Sequence, residues 1–514
     1  MCRECQMSRR EFAGLSAAGL AAGIVAAPAA FAAGDAPEPQ WDPALPPAVP
    51  GKKLRVQPVL MHAIQVHRDQ TSYRNWGSVH TEQTVAEEAR RIADELGRLR
   101  SAAEFPLDIR PLAKVASATE ARRVHEQDYD CLLLYPASGS GQLLRACFAA
   151  GPARDTVIFA RHRRGPLYYW YEALSTEYLK TGTAKEVAAA NADDHGPPTI
   201  HDVVIDDERA LLWRLRALYG LKNFIGQRIV AVGGPMGKWD PPAPAVARQR
   251  YRIEIIDVGY DEFTRRMAGL RADRRRIALA ESWTERYLAL PETTLATQRR
   301  FLVNSFLLYG FFKDLLREHD ATALTIQHCM TRALPISETT PCMPLSWLND
   351  EGLIGLCEAD FVLIPAAILL RHVAGKPVFM HNSTFPHQGI ATCAHCSAPR
   401  RMDGRSYAPV KILTHCESDY GAAPKVEMPL GQELTFLDPE YSRPRWLAFR
   451  GLVKANPFYD VCRTQQDVEI QGDWKRLLPE VRDSHWVAAY GNYLNELEYA
   501  SRKIGMDCVR IDAG

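Results

Sequence analysis

Apolar residues recur along this chain with two spacings, and the character of the pattern changes near residue 375. Leu54–Leu60 is a short β-rich run. Across Thr81–Arg100, residues Val85, Ala89, Ile92, Leu96 and Leu99 fall on one face of a helix. Leu107–Leu112, Cys131–Tyr135 and Thr156–Ala160 are further short apolar runs between helical or loop-forming segments. Such alternation predicts an open, mostly parallel sheet with helices on both faces. The pattern restarts near His201. A helix is expected at Glu208–Leu221, strands at Arg228–Gly233 and Arg252–Val258, then a charged helix and a long helix over Ala296–Glu318. Ala323–Gln327 and Asp360–Ile364 read as two more strands. After Gly375 short extended runs are divided by Gly, Pro and Asp: Val378–Met380, Val410–Leu413, Leu434–Leu437, Trp446–Val453 and Asp467–Ile470. Helical signal returns at Tyr490–Ile504. The expectation is an α/β chain with two parallel-sheet domains, 52–200 and 201–375, followed by a β-rich domain with a terminal helix, 376–514. No internal repeat of fixed period is present.

Composition changes this picture little. With 514 residues, 46% of them hydrophobic, the chain can bury cores for two to four domains. The formal net charge of +1 gives no basic excess for nucleic acid and no acidic tail.

The N-terminus reads as a leader. Ser8-Arg-Arg-Glu-Phe12 precedes a small apolar stretch, Ala13–Ala27, and an A-x-A cleavage pattern at Ala30-Phe31-Ala32. The paired arginines resemble a twin-arginine export signal over 1–33, which implies passage through that machinery, a periplasmic location and no membrane span after cleavage. The Pro- and Ala-rich stretch 34–51 reads as a linker. No other apolar run reaches the roughly 18 residues of a membrane span.

Ten of the twelve cysteines lie beyond the leader and are scattered, which is not a disulfide scaffold. Only Cys393 and Cys396 have metal-like spacing, in ATCAHCSAPRRM, and no second Cys-x-x-Cys answers them. That is half a zinc signal, or a redox pair, or two cysteines packed beside His395. Gly233-Gly-Pro-Met-Gly-Lys-Trp239 follows a strand without the dinucleotide fingerprint, and a tight turn explains it as well as a ligand does.

Polar chemistry concentrates after residue 325. Glu358 and Asp360 stand amid apolar sequence, where a carboxylate is costly unless it is paired or metal-bound, though a capping or surface acid fits the spacing too. His381, His395, His415 and His485 lie among polar neighbours, either as structural groups or as members of one site. Residues of these types suit a mixed O/N site for Mn²⁺, Mg²⁺ or Zn²⁺ over a thiolate site.

Five blocks carry a resemblance: PLSWLNDEGLIGLCEAD, ATCAHCSAPRRM, THCESDYGAAPKVE, NPFYDVCRTQQDVEIQGDW and SHWVAAYGNYLNELEYASRKIG. In this order they resemble the L-fucose and L-arabinose isomerase superfamily, in particular its divergent fucose isomerase-like branch, over about residues 52–514. The resemblance implies two Rossmann-like domains before a β-rich domain, homo-oligomers (trimers or hexamers), and Mn²⁺-dependent aldose–ketose isomerisation of a sugar. Glu358 matches the first acidic ligand and proton carrier. Asn382 stands where a second acidic ligand is expected; an amide coordinates through oxygen but is no base. His395 and His485 match the histidine ligands. Asp360 or Glu417 then stand in for the missing acid, and His415, Glu417 and Arg400 are expected to contact substrate. The Asn382 departure and the export signal also fit a non-catalytic periplasmic carbohydrate-binding protein on the same fold.

Overall fold

The computed structural model describes residues 40–48, 51–74, 76–149, 154–168, 178–180, 198–382, 384–440 and 444–511. The leader at 1–33 lies outside them. Six strands, β1 (Leu54–Met61), β2 (Leu107–Ile109), β3 (Ala113–Val115), β4 (Cys131–Pro136), β5 (Asp155–Ala160) and β6 (Val203–Ile205), form a parallel sheet of order β2-β1-β4-β5-β6, with β3 also on β1. The amphipathic helix Glu82–Ala102 starts at a Thr81 capping box and buries Val85, Ile92, Leu96 and Leu99, the apolar face expected for it. The same helix also buries Glu88 and Glu95, both paired with Arg161 just past β5.

A second parallel sheet has the order β11-β10-β7-β8, from β7 (Arg228–Val232), β8 (Glu254–Val258), β10 (Ala323–Ile326) and β11 (Ile354–Cys357). From β7 the chain runs outward to β8, then returns to the other side of β7 as β10. The connections therefore diverge at the β7/β10 boundary, the place where open α/β sheets commonly form a ligand crevice at the strand C-terminal ends. A short strand β9 (Thr293–Leu295) leaves this region to pair with β14 (Val410–Leu413), which carries β15 (Ala423–Val426).

The strand expected at Asp360–Ile364 is not one: β11 ends at Cys357, and the apolar run that follows forms the helix Ile364–Ala374. Every residue of that helix is buried, so its sequence has no polar face, and an apolar run of this length does not by itself distinguish strand from buried helix. Pro365 in the first turn and Gly375 in the left-handed region (φ 62°) after the last turn mark the helix ends.

The C-terminal strands are β12 (Phe379–Asn382), β13 (Ile390–His395), β16 (Glu433–Glu440), β17 (Arg445–Ala455), β18 (Thr464–Gln471), β19 (His485–Tyr490) and β20 (Asp507–Ile511). They run β16-β19-β12-β13-β18-β17-β20, and a β16–β17 pairing closes six of them into an antiparallel barrel; only β20 joins in parallel. The terminal helix is Leu494–Lys503. Residues Trp41–Gly514 form one compact unit. Among the described residues no helix is long and apolar enough to cross a membrane.

The stretch read as a linker is not wholly free. Trp41 is 2% exposed and its ring lies 5.1 Å from Phe306 and 6.5 Å from Trp347. Ala48 N–H donates to the Glu351 carbonyl, and Leu45 O accepts from Arg401. One indole buries enough apolar surface to hold a Pro-rich segment down.

Beside Arg401, Asp350 is buried. Its Oδ1 accepts the Arg401 N–H at 2.7 Å, and Oδ2 has no partner. Burial pushes its carboxyl up from the ordinary 3.8 to about 7, with the Arg401 N–H and the charges of Arg400 and Arg401 opposing. The folded state therefore holds this proton more tightly than the unfolded chain does. Stability is full below about pH 4, falls as pH rises to about 7 and then levels, a loss on the order of 4 kcal/mol at most. Asp350→Asn is expected to remove that slope. Melting temperatures at pH 5 and 8 check it; a variant that keeps the wild-type pH dependence would place the slope elsewhere.

Candidate metal and catalytic site

The crevice at the ends of β7 and β11 gathers residues from four segments. Glu358 follows β11 directly. It and Ala359 both have positive φ (61° and 50°), a conformation costly for residues with a Cβ. Neighbouring hydrogen bonds hold it: Ala359 N–H donates to Thr325 Oγ1 (3.1 Å), Met236 N–H to the Ala359 carbonyl (3.1 Å), and Phe361 N–H to the Met236 carbonyl (2.8 Å). The glycine turn after β7 is thus zipped to the loop after β11. Gly237 is needed there because a Cβ would meet the Asp240 carbonyl oxygen at 1.9 Å.

His395 ends β13 and His485 begins β19. The Glu358 Oε1 lies 3.8 Å from His395 Nε2 and 3.7 Å from His485 Nε2. All three ligand atoms fall within 4.8 Å of one another, a spacing that fits one cation. Both imidazoles are buried, while the Glu358 side chain is 30% exposed and opens toward the crevice.

Asp360 is fully buried behind this group. Its Oδ2 takes the His485 Nδ1–H at 2.7 Å, and its Oδ1 accepts from the N–H groups of Lys238 and Val362, both at 3.1 Å. That contact fixes the proton on Nδ1 and leaves Nε2 facing Glu358, the arrangement of a carboxylate that orients a metal-binding histidine. Asp360, expected as a catalytic acid, lies behind His485 and contacts its Nδ1, away from the Nε2 atoms that face Glu358. In Asp360→Asn an amide N–H meets Nδ1 and drives the proton to Nε2. Metal affinity is expected to fall about 10- to 100-fold; titration calorimetry with Mn²⁺ checks it, and unchanged affinity would remove His485 as a ligand.

Lys238, carried by the glycine turn, went unread in the sequence. Its Nζ lies 2.8 Å from Glu358 Oε2 and 3.3 Å from His485 Nε2. The signal that would have found it is a lysine directly after a glycine turn at a parallel strand's C-terminal end. Burial alone would raise the Glu358 carboxyl, but the two imidazoles and the Lys238 ammonium hold it well below the usual range. Burial lowers His395. Burial would lower His485 too, yet Asp360 and Glu358 more than offset it and push it up to about 9. An ammonium 3.3 Å from Nε2 requires a lone pair there, whereas the two carboxylates favour a proton. Lys238, a His485 proton and a metal cation therefore compete for one space.

The other expected site residues lie differently. Asn382 sits opposite His485 in the β12–β19 register, but its amide nitrogen points at the Cys462 sulfur (3.5 Å). His415 is buried in the loop after β14, and Glu358 contributes to the charge it senses; Glu417 is exposed in the same loop, its N–H directed at His415 Nδ1 (3.3 Å). Arg400 corrects the expectation of a substrate contact. It is 1% exposed, donates to the carbonyls of Ala408 and Pro291 and to Thr293 Oγ1, and lies against the rings of Tyr287 and Tyr407. Its guanidinium ties the segment after β13 to the start of β9, as a buried arginine must satisfy its donors within the protein.

No protein-family model matches the chain, and no curated protein matches it.

Proposed function

We propose that this chain catalyses proton transfer between adjacent carbons of a small hydroxy-carbonyl substrate, with aldose–ketose isomerisation of a monosaccharide as the specific reaction. The observation that carries the reading is the convergence of Glu358, His395 and His485, which are spread over 128 positions, onto one crevice at the sheet's switch point. The sequence blocks that resemble sugar isomerases contain all three. Glu358, His395 and His485 would hold a divalent cation, Mn²⁺ by the resemblance, which when bound stabilises negative charge on two adjacent substrate oxygens. Glu358 takes the carbon-bound proton from C2 and returns it to C1 while the hydroxyl proton passes from the C2 oxygen to the C1 oxygen, and exclusion of water by the substrate raises the basicity of the carboxylate. Asp360 keeps His485 in register. Lys238 leaves the three-ligand centre for the metal and then faces a substrate oxygen with its positive charge. By the same resemblance the enzyme would be a homo-oligomer, and the twin-arginine-like leader supports a periplasmic location.

Lys238 also favours a second reading. An ammonium among the three ligands, with an amide at 382, suits a carbohydrate-binding protein that needs no metal. Solvent deuterium exchange at C1 and C2 of a panel of aldoses, followed by NMR, separates the two. Exchange that requires Mn²⁺, stops with a chelator and returns on re-addition is expected. Sugar binding without exchange, with or without metal, would establish the binder. Lys238→Met is expected to raise Mn²⁺ affinity at least about tenfold, because like charges about 4 Å apart cost several kcal/mol at an effective dielectric near 20.

A further inference from the structure

Four cysteines far apart in sequence meet beside the candidate site. The sulfurs of Cys396, Cys416 and Cys462 all lie within 4.8 Å of one another. The Cys342 thiol neighbours that of Cys396 in the same cluster, outside the mutual spacing of the other three. They come from the first turn of helix Cys342–Asp350, the residue after β13, the loop after β14 and the loop before β18. We propose that Cys342, Cys396, Cys416 and Cys462 bind a single soft divalent ion, Zn²⁺ before any other, as a structural site.

The spacing selects the kind of occupant. A Zn–S bond near 2.3 Å in a tetrahedron sets sulfur–sulfur edges of about 3.8 Å. The sulfurs of Cys396, Cys416 and Cys462 need only a small contraction, and Cys342 would turn in from the first turn of its helix to complete the tetrahedron, whereas a four-iron cluster holds its cysteine sulfurs farther apart. Donors suited to thiolates are in place: Arg463 N–H points at Cys396 Sγ (3.4 Å) and the Asn382 amide at Cys462 Sγ (3.5 Å). Such N–H···S bonds offset charge when three or four thiolates surround a dication.

The site also accounts for two oddities of the sequence. Cys393, the other half of Cys-x-x-Cys, sits in the main apolar core and not among these thiols, since residues three apart at a strand end face opposite sides. The half-signal is completed by distant cysteines. At position 382, a carboxylate beside thiolates would be repelled and could not donate, while an amide donates. The ion would clamp the loops that carry His415 and Cys462 against the end of β13, next to His395, and so stiffen the wall of the crevice. This inference stands whatever reaction the crevice performs.

Metal analysis of the purified full chain tests it. About one zinc per chain that persists in Glu358→Gln is expected, retained in Cys393→Ser and lost in Cys416→Ser/Cys462→Ser. Because the double variant could fail to fold, cobalt-exchanged wild-type protein gives the answer independently. Thiolate-to-cobalt charge-transfer absorption with intense tetrahedral bands supports the site, and its survival in Glu358→Gln separates it from the Glu358 centre. Wild-type protein in which Cys342, Cys396, Cys416 and Cys462 all alkylate as free thiols by peptide mapping, with no thiolate–cobalt absorption, would overturn it. So would a disulfide among the four, seen as a mass two hydrogens lower, or iron with cluster absorption.

Discussion

Glu358→Gln is expected to fold normally and to lose about 100- to 10,000-fold in turnover, the usual contribution of a general base. The side chain keeps its length and one acceptor oxygen, and at 30% exposure it contributes little to the core. What the amide cannot do is accept and return a proton. Both its oxygen and its nitrogen would lie near Lys238, His395 and His485, so local packing is preserved while the charge that organises them is gone. Metal affinity should fall as well, since among the described residues the carboxylate grouped with both imidazoles is removed. Circular dichroism, Mn²⁺ titration and deuterium exchange on one preparation separate the effects. If exchange continues within tenfold of wild type at saturating metal, another group carries the proton and the proposed mechanism fails.

The second large effect is structural. Arg161→Met is expected to destabilise the first sheet by about 3–5 kcal/mol, because it takes the Arg161 countercharge from the buried Glu95 and leaves Glu88 with only the half-exposed Arg91, 3.2 Å away. Arg161 is fully buried. Its Nε lies 2.6 Å from Glu88 Oε1 and its Nη2 2.6 Å from Glu95 Oε2, and the Tyr168 hydroxyl donates to Glu88. The two acids lie seven residues apart on helix Glu82–Ala102, and the guanidinium pins that helix to the end of β5. Hydrophobic replacement of all three charged residues is expected to restore most of the loss, since an apolar trio of similar volume needs no desolvation of ions. Urea unfolding midpoints of the single and triple variants check both statements. A single variant within about 1 kcal/mol of wild type would show that water or nearby groups already neutralise the acids.

Much of the α/β order was legible because periodicity is local. Val85, Ile92, Leu96 and Leu99 mark a helix face whatever that face packs against, and the short apolar runs of β4, β5 and β10 are bounded by turn residues on either side. Where a segment is buried all round, periodicity disappears. Helix Ile364–Ala374 shows no face in the sequence for that reason, and the run Asp360–Ile364 that leads into it reads as a strand. The β13 strand, which holds the Cys-x-x-Cys, begins in β-like sequence, but its length and its pairing with β12 and β18 rest on partners distant in the chain.

By itself the sequence determined the residue types: a carboxylate amid apolar neighbours at 358, two histidines at 395 and 485, and an amide at 382 where an acid was expected. Those choices are chemical and stay visible in one dimension. Only the tertiary structure decided what each group faces. It set Lys238 against Glu358, put Asp360 behind His485 and not in front of it, enclosed Arg400 between tyrosines, and drew Cys342, Cys416 and Cys462 to Cys396. The reason is that ligand spacing and charge competition depend on distance in space, and loop closure over 60 or 120 residues costs little more than over 20.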